Sequence, residues 1–239
     1  MLRSALPAAI LPRCHRNFDR FVRSLTPYRG NDGGSWHMPW AVRHWGYHPA
    51  AAVLSALLKS WAWPVVERIC GSTNIAILLC LCVARHAIDK SLGAGAHQDV
   101  TAVAPDVPFS MWIPLHAIEP RQNSGLGFIV PAPDHVLPAL PHNDVGPDYV
   151  LGHFDKAWVP RYAPGDVTIH TSLSPHFTTG YGTHTNRFSL EVRAMARDAA
   201  PTKYQDPAVY VGRRDGAAVV VDTNCSPGSD ARRFLARLA

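Results

Sequence analysis

The stretch PGDVTIHTSLSPHFTTGYGTHTNRFSLEVR, residues 164–193, decides the fold that we predict for this chain. Hydrophobic and polar residues alternate over much of it, and a period of two is typical of β-strands. Gly165 and Asp166 provide a tight turn between strands. We therefore expect His176 and Arg187 to lie on neighbouring strands that face one cavity.

A histidine and an aspartate far upstream are candidates for the same cavity. His97 and Asp99 are spaced i, i+2, which on an extended segment points both side chains to one face. With His176 they would supply two imidazoles and one carboxylate, the facial triad typical of non-haem Fe(II) centres that use O2. His170 competes with His176, because their even separation places both on the same side of a strand. An isolated His-x-Asp pair is by default an ordinary hydrogen-bonded pair, so the interpretation depends on these partners.

The rest of the chain predicts a mainly β protein with N-terminal helices. Residues 49–71 begin with proline and carry apolar residues at helical spacing, which predicts an amphipathic helix, kinked or split at Pro64 and closed by Gly71. Short strand-like runs follow, punctuated by Gly and Pro, at 74–84, 109–115, 126–131, 156–162, 166–171 and 187–195. This order indicates a double-stranded β-helix core, a jelly-roll of the cupin-like kind.

A chain of 239 residues is long enough for one well-buried domain, and we expect a single domain over 1–239. Within it we predict an N-terminal helical and loop segment packed on the barrel, the barrel with the metal site, and a C-terminal tail of loop and a short helix. Their bounds are 1–72, 73–196 and 197–239, with the last helix at 229–238.

The formal net charge of +5 suggests an anionic partner, but the basic residues are scattered. The longest basic clusters are Arg213-Arg214 and Arg232-Arg233, which are too small for a nucleic-acid groove. We therefore expect a small-molecule substrate and no nucleic acid. The aromatic and histidine-rich segment 36–48 is interpreted as packing or substrate-entry residues, since its histidines lack the spacing of a ligand set.

Targeting signals are weak. The apolar run 75–83 is far shorter than the roughly 20 residues of a membrane helix, and Pro7 and Pro12 break the apolar patch that would resemble a signal peptide. Five cysteines, an odd number without CxxC spacing, are typical of a reducing compartment. We expect a cytoplasmic protein with no membrane partner. The oligomeric state stays unknown at this level.

Four ordered pieces of the sequence resemble the phytanoyl-CoA dioxygenase family of Fe(II)- and 2-oxoglutarate-dependent oxygenases. They are HQD at 97–99, FSMWIPLHAIEPRQNSGLGFIVP at 109–131, PGDVTIHTSLSPHFT at 164–178 and NRFSLEVR at 186–193. The chain departs from the family at 131–135, PAPDH, where a Pro-Gly-Ser-His turn is usual.

The resemblance implies that His97, Asp99 and His176 hold Fe(II). The eleven-residue interval from His176 to Arg187 favours this histidine over His170, and it implies that Arg187 pairs with the distal carboxylate of 2-oxoglutarate. A carboxylate at position 99 favours hydroxylation, because related halogenases have a small residue there.

The resemblance further implies that Trp112, Thr178 and Ser189 line the pocket of the cosubstrate. O2 would be the oxidant and ascorbate a stimulant. Arg193 lies six residues beyond Arg187, a spacing found in nucleic-acid demethylating oxygenases, but no aromatic and basic groove accompanies it here.

The sequence thus predicts a 2-oxoglutarate-dependent dioxygenase that oxidises an unactivated C–H bond of a small metabolite and releases succinate and CO2. Two alternatives stay open. One is a non-oxidative metal-dependent enzyme on a related barrel, which would not need Arg187. The other is a non-catalytic small-molecule-binding protein with the same fold.

Overall fold

Two antiparallel β-sheets form the framework of the computed structural model, in which residues 1–29, 34–37, 51–87, 95–102, 106–120, 122–141, 144–179 and 187–225 are described. The helices are α1 (Leu11–Arg29), α2 (Ala51–Leu58), α3 (Trp63–Cys70), α4 (Asp99–Ala102) and α5 (Pro147–Gly152). Short 3₁₀ helices span Ala8–Ile10, Leu79–Leu81, Phe154–Lys156, Arg197–Ala199 and Thr202–Tyr204.

The strands fall into a large and a small sheet. They are β1 (Gly34–His37), β2 (Ile75–Leu78), β3 (Val83–Ala87), β4 (Phe109–Pro114), β5 (Gly125–Ile129), β6 (Ala157–Trp158), β7 (Thr168–Thr171), β8 (His176–Thr179), β9 (Arg187–Ala196), β10 (Ala208–Arg214) and β11 (Ala217–Asn224). The large sheet has the order β1-β3-β9-β2-β10-β11, with β4 also paired to β9 and β7 paired to β4; the small sheet has the order β6-β5-β8.

Strand β9 has one face in the hydrophobic core and the other in the polar space between the two sheets. Its residues are buried on both faces, and successive side chains point to opposite sides. Leu190 and Val192 pack in one hydrophobic cluster with Leu54 of α2 and Trp63 of α3. Burial of side chains of this size stabilises a fold by about 1.5–3 kcal/mol each. The helices therefore cover the outer face of the large sheet, and the other face of β9 is free to carry polar groups.

The two facing sheets confirm the predicted jelly-roll class, in which antiparallel strands form a double-layered barrel. The helix predicted over 49–71 is two helices, separated just before Pro64, which lies in the first turn of α3. Gly71 ends α3 with a left-handed backbone, φ +64°, as predicted. In the described part of the chain, no helix has the length and apolar character to cross a membrane.

Two regions differ from the prediction. Residues 11–29 form a helix that we did not predict, with Pro12 in its first turn, where a missing amide costs nothing. The expectation of a C-terminal loop is also wrong, since β10 pairs with β2 and with β11. Residues 38–50 and the predicted helix at 229–238 lie outside the described residues.

Candidate active site

The three residues predicted to form a metal triad lie together. One ligand atom from each of His97, Asp99 and His176 falls within 4.8 Å of the others. The Nε2 atom of His176 is 3.9 Å from Oδ1 of Asp99, and the two imidazole centroids are 4.2 Å apart. Atoms that bind one metal ion lie about 2.0–2.2 Å from it, which places them closer to one another than they are here. A small inward movement of the three side chains would bring their ligand atoms to such distances.

Hydrogen bonds orient both imidazoles. Nδ1 of His97 lies 2.8 Å from the carbonyl oxygen of Gly95, and Nδ1 of His176 lies 3.0 Å from that of Ser174. A carbonyl oxygen only accepts, so Nδ1 carries a proton in each ring, and in a neutral ring Nε2 then keeps its lone pair. Burial, and then the neighbouring His97, lower the pKa of His176, which keeps this imidazole neutral. Neutral imidazoles with a fixed Nδ1–H are suited to bind a metal through Nε2.

The backbone brings His97 to His176 in a way that the sequence did not predict. The two residues form an isolated antiparallel bridge, each amide donating to the carbonyl of the other at 3.0 Å. Asp99 does not continue an extended segment, because it begins the one-turn helix α4. The buried side chain of Gln98 fixes this change of direction: it accepts from the amide of Leu137 at 2.7 Å and donates to the carbonyl of Leu173 at 2.6 Å.

Asp99 is buried among donors from the large sheet. The hydroxyl of Ser110 donates to its Oδ2 atom, and Nη2 of Arg193 contacts Oδ1 at 3.3 Å and Oδ2 at 3.2 Å. Burial alone would raise the pKa of Asp99, but Arg193, His176 and His170 outweigh that effect and hold the pKa well below its usual range. The carboxylate is therefore ionised at neutral pH.

His170 lies beside the triad without belonging to the group of converging ligand atoms. Its Nε2 atom is 3.8 Å from Oδ2 of Asp99, and its ring centroid is 4.6 Å from that of His176. Neither ring nitrogen has a hydrogen-bond partner among the described residues. Burial, and then the neighbouring His176, lower the pKa of His170 well below its ordinary value. The structure thus separates two histidines that alternation alone did not distinguish.

Arg187, the predicted cosubstrate residue, is a buried cation without a carboxylate partner in the described part of the chain. Only 3% of the residue is exposed, and its Nε and Nη1 atoms have no hydrogen-bond partner there. Its guanidinium carbon lies 5.2 Å from the centroid of the Trp112 ring. Burial, and then the nearby Arg85, lower the pKa of Arg187 to about 10, so the group keeps its charge at neutral pH.

The other predicted pocket residues lie on the same polar interior. A cavity of about 90 Å³ between the two sheets is lined by the triad, by Trp112 of β4 and by Thr178 of β8. Ser189 of β9 is fully buried, and its hydroxyl lacks a partner among the described residues. Arg187 and Ser189 do not line this cavity. Trp112 lines the cavity and also lies beside the Arg187 guanidinium.

Four further polar residues line the cavity, and we did not assign them to it from the sequence. They are Arg85, Ser110, Glu191 and Arg193. Arg85 contacts the Glu191 carboxylate at 3.1 Å, and Arg193 contacts it at 3.5 Å. For the last two residues a signal existed, since Glu191 and Arg193 continue the alternation that begins at Arg187.

A larger surface groove of about 770 Å³ lies between α1 and α2. Arg13, Arg20 and Lys59 line it, and none of the predicted site residues does. It is therefore a separate feature of the surface.

No family model matches the chain, and no curated protein matches it in sequence. Solved structures do match it. HygX from Streptomyces hygroscopicus, with nickel and 2-oxoglutarate bound, is 14% identical over 93% of this chain and 91% of that chain, with a TM-score of 0.58. The non-haem α-ketoglutarate-dependent carbocyclase SnoK from nogalamycin biosynthesis is 16% identical over 90% and 83%, with a TM-score of 0.58. The non-haem monooxygenase ThoJ, in its apo form, is 14% identical over 100% and 93%, with a TM-score of 0.57. The chain therefore shares its fold with non-haem, 2-oxoglutarate-dependent enzymes.

Proposed function

We propose that this protein is an Fe(II)- and 2-oxoglutarate-dependent dioxygenase of the phytanoyl-CoA dioxygenase kind, which oxidises a C–H bond of a small-molecule metabolite. The observation that carries the proposal is the convergence of His97, Asp99 and His176 in a cavity whose Trp112 wall lies against Arg187, a buried arginine with no carboxylate partner among the described residues. Metal-binding donors alone would suit many reactions. Arg187 adds a site for an anion.

The triad suits Fe(II) by its donor set. Two neutral imidazole nitrogens and one carboxylate oxygen, with the remaining positions open, are the ligands of non-haem Fe(II) oxygenases. His97, Asp99 and His176 would hold the metal. When bound, Fe(II) supplies the site at which O2 and 2-oxoglutarate react to give succinate, CO2 and the oxidising equivalents for the substrate.

Arg187 would bind the distal carboxylate of 2-oxoglutarate. A guanidinium presents a planar fork of donors that matches a carboxylate, and a buried one without a partner gains most from an anion. Ser189 lies two residues further on the same strand, so its buried hydroxyl faces the same side. Trp112 and Thr178 would complete the wall of the cosubstrate pocket.

Aromatic residues shield the triad on the side of the small sheet. Phe128 lies 6.1 Å from His176 and 5.2 Å from His170, and Trp158 packs on its outer side at 5.6 Å, measured between ring centroids. Exclusion of water protects a reactive centre from side reactions. His97 is only half-buried, so we infer that the substrate approaches from its side.

The neighbouring structures do not determine the reaction outcome, since one is a monooxygenase and another a carbocyclase. We propose hydroxylation as the outcome, because Asp99 retains the carboxylate. The substrate belongs to the small molecules that such a cavity can admit.

The proposal is tested by adding Fe(II) and then 2-oxoglutarate to purified protein without oxygen. We expect a visible charge-transfer absorption band, and slow succinate release when O2 and ascorbate are added. The matched controls are Asp99→Ala, which should lose both signals, and His135→Ala, an exposed histidine that should keep both.

Wild-type protein that binds neither Fe(II) nor 2-oxoglutarate would exclude an oxygenase. Metal binding together with full activity of an Arg187→Ala variant would indicate a non-oxidative enzyme instead. Metal binding without oxygen consumption on any candidate substrate would indicate a binding protein.

A further inference from the structure

Two residues outside the triad contact its carboxylate from neighbouring strands. Ser110 of β4 and Arg193 of β9 are directly opposite each other in the antiparallel pairing. Cross-strand partners lie about 4.5–5.5 Å apart and point to one face. Both side chains reach Asp99, which is 11 residues away from one and 94 residues away from the other in sequence.

The two oxygen atoms of Asp99 have different surroundings. Oδ1 is the one that faces Nε2 of His176, at 3.9 Å. Oδ2 receives the hydroxyl of Ser110, whereas Nη2 of Arg193 lies between the two oxygens, 3.3 Å from Oδ1 and 3.2 Å from Oδ2. Arg193 thus holds the carboxylate as a whole, and the Ser110 hydroxyl distinguishes Oδ2 from the oxygen that faces His176.

Arg193 is itself fixed in place. Its Nη1 atom donates to the carbonyl of Leu81 at 2.5 Å, and Nη2 also contacts Glu191 at 3.5 Å. Glu191 in turn is held by Arg85 at 3.1 Å. Opposite charges therefore alternate from the partly buried Arg85 and Glu191 to the buried Arg193 and Asp99. A group held by such packing can restrain the residue that it contacts.

We propose that Ser110 and Arg193 are positioning residues that hold Asp99 as a one-oxygen ligand, with Oδ1 toward the metal and Oδ2 retained by the sheet. The inference rests on the proposed function, since it concerns the metal site of that function. Partners of this kind orient a ligand and typically change metal affinity by about 10–100-fold when they are removed.

The first test is a calorimetric titration of Ni(II) into wild type, Ser110→Ala and Arg193→Lys. We expect both variants to fold, because Ser110→Ala loses only a hydroxyl and Arg193→Lys keeps the positive charge. We expect each to bind Ni(II) at least about tenfold more weakly. Thr168→Val is the matched control, since it removes another buried hydroxyl of the large sheet, bonded to Tyr162, and should leave Ni(II) affinity unchanged.

A second readout separates positioning from general stability. In the Asp99→Ala variant, Ser110 and Arg193 face the space that the carboxylate leaves. Added formate should enter it and restore Ni(II) binding, and the rescue should be lost in Asp99→Ala/Ser110→Ala and Asp99→Ala/Arg193→Lys. The Co(II) absorption spectrum, which reports coordination number, should change in Ser110→Ala and stay unchanged in Thr168→Val.

Unchanged Ni(II) affinity in both Ser110→Ala and Arg193→Lys, or equal formate rescue in single and double variants, would overturn the inference and leave the proposed function intact. A wild-type protein that binds no Ni(II) would overturn the proposed function, and the inference with it.

Discussion

Two arginines on one strand have opposite surroundings. Arg187 and Arg193 lie on the same face of β9, and both are almost fully buried. Burial lowers the pKa of Arg193, but the contacts with the carboxylates of Asp99 and Glu191 outweigh that effect, so the pKa is raised. Arg187 has no carboxylate partner among the described residues, and burial lowers its pKa. The protein thus balances the charge at the triad with its own residues, and at Arg187 the proposed 2-oxoglutarate would supply the balance.

The largest effect that we predict from the comparison of the two arginines is on the free energy of unfolding. Arg193→Met removes the arginine partner of the buried Asp99 carboxylate, and loss of one member of a buried ion pair costs about 3–5 kcal/mol. Arg187→Met removes a buried charge that has no carboxylate partner among the described residues, so it should be neutral or stabilising. Urea unfolding of the metal-free variants measures both free energies. Equal losses in the two variants would show that the two arginines are equivalent.

A second pair of variants concerns His176 and His170, the two histidines at the proposed metal site. His176→Ala removes one of three proposed ligands and should weaken Ni(II) binding by more than about 100-fold, which exceeds the usual effect of a residue that only supports a ligand. His170→Ala should weaken it by less than about tenfold. Calorimetry with Ni(II) distinguishes them. A larger effect of His170→Ala would assign the third ligand to His170.

A third variant tests only the proposed binding of 2-oxoglutarate by Arg187. Arg187→Lys keeps the charge but loses the planar fork, and hydrogen bonds to charged groups contribute about 1.5–3 kcal/mol. We expect 2-oxoglutarate to bind at least about tenfold more weakly to the Ni(II)-loaded protein, with no measurable change in Ni(II) affinity itself. An equal loss of Ni(II) affinity would mean that Arg187 and the metal-binding triad are not independent.

The smallest effect concerns pH. Burial, and then the neighbouring His15, lower the pKa of His116 to about 4 from the ordinary value of 6.5. A histidine with a lowered pKa in the folded state favours unfolding when it is protonated, so its stabilising contribution is complete above pH 6.5 and is lost as the pH falls toward 4. His116→Gln should therefore lose less stability than wild type between pH 7 and 5, in urea unfolding. A wild-type slope in His116→Gln would contradict the prediction.

Several local features were predictable because neighbouring residues determine them. Gly71 ends a helix because a left-handed residue is needed there, and the alternation in β9 places Arg187 and Ser189 on one face. The missed C-terminal hairpin also had a local signal. Asp215 and Gly216 both have positive φ, as a two-residue hairpin turn requires, and short apolar runs rich in valine lie on either side of them.

The sequence by itself determined the jelly-roll class and the residue types of the site, because periodicity, turn residues and the His-x-Asp spacing are all local. Alternation did not distinguish His176 from His170, and the spacing to Arg187 favoured His176 only through the family resemblance. The tertiary structure decided that the ligand atoms of His97, Asp99 and His176 converge. It also decided that Arg193 and Ser110 contact Asp99. Those contacts arise from the pairing of strands far apart in the chain, and the burial that makes a charge partner necessary exists only once the sheets have packed.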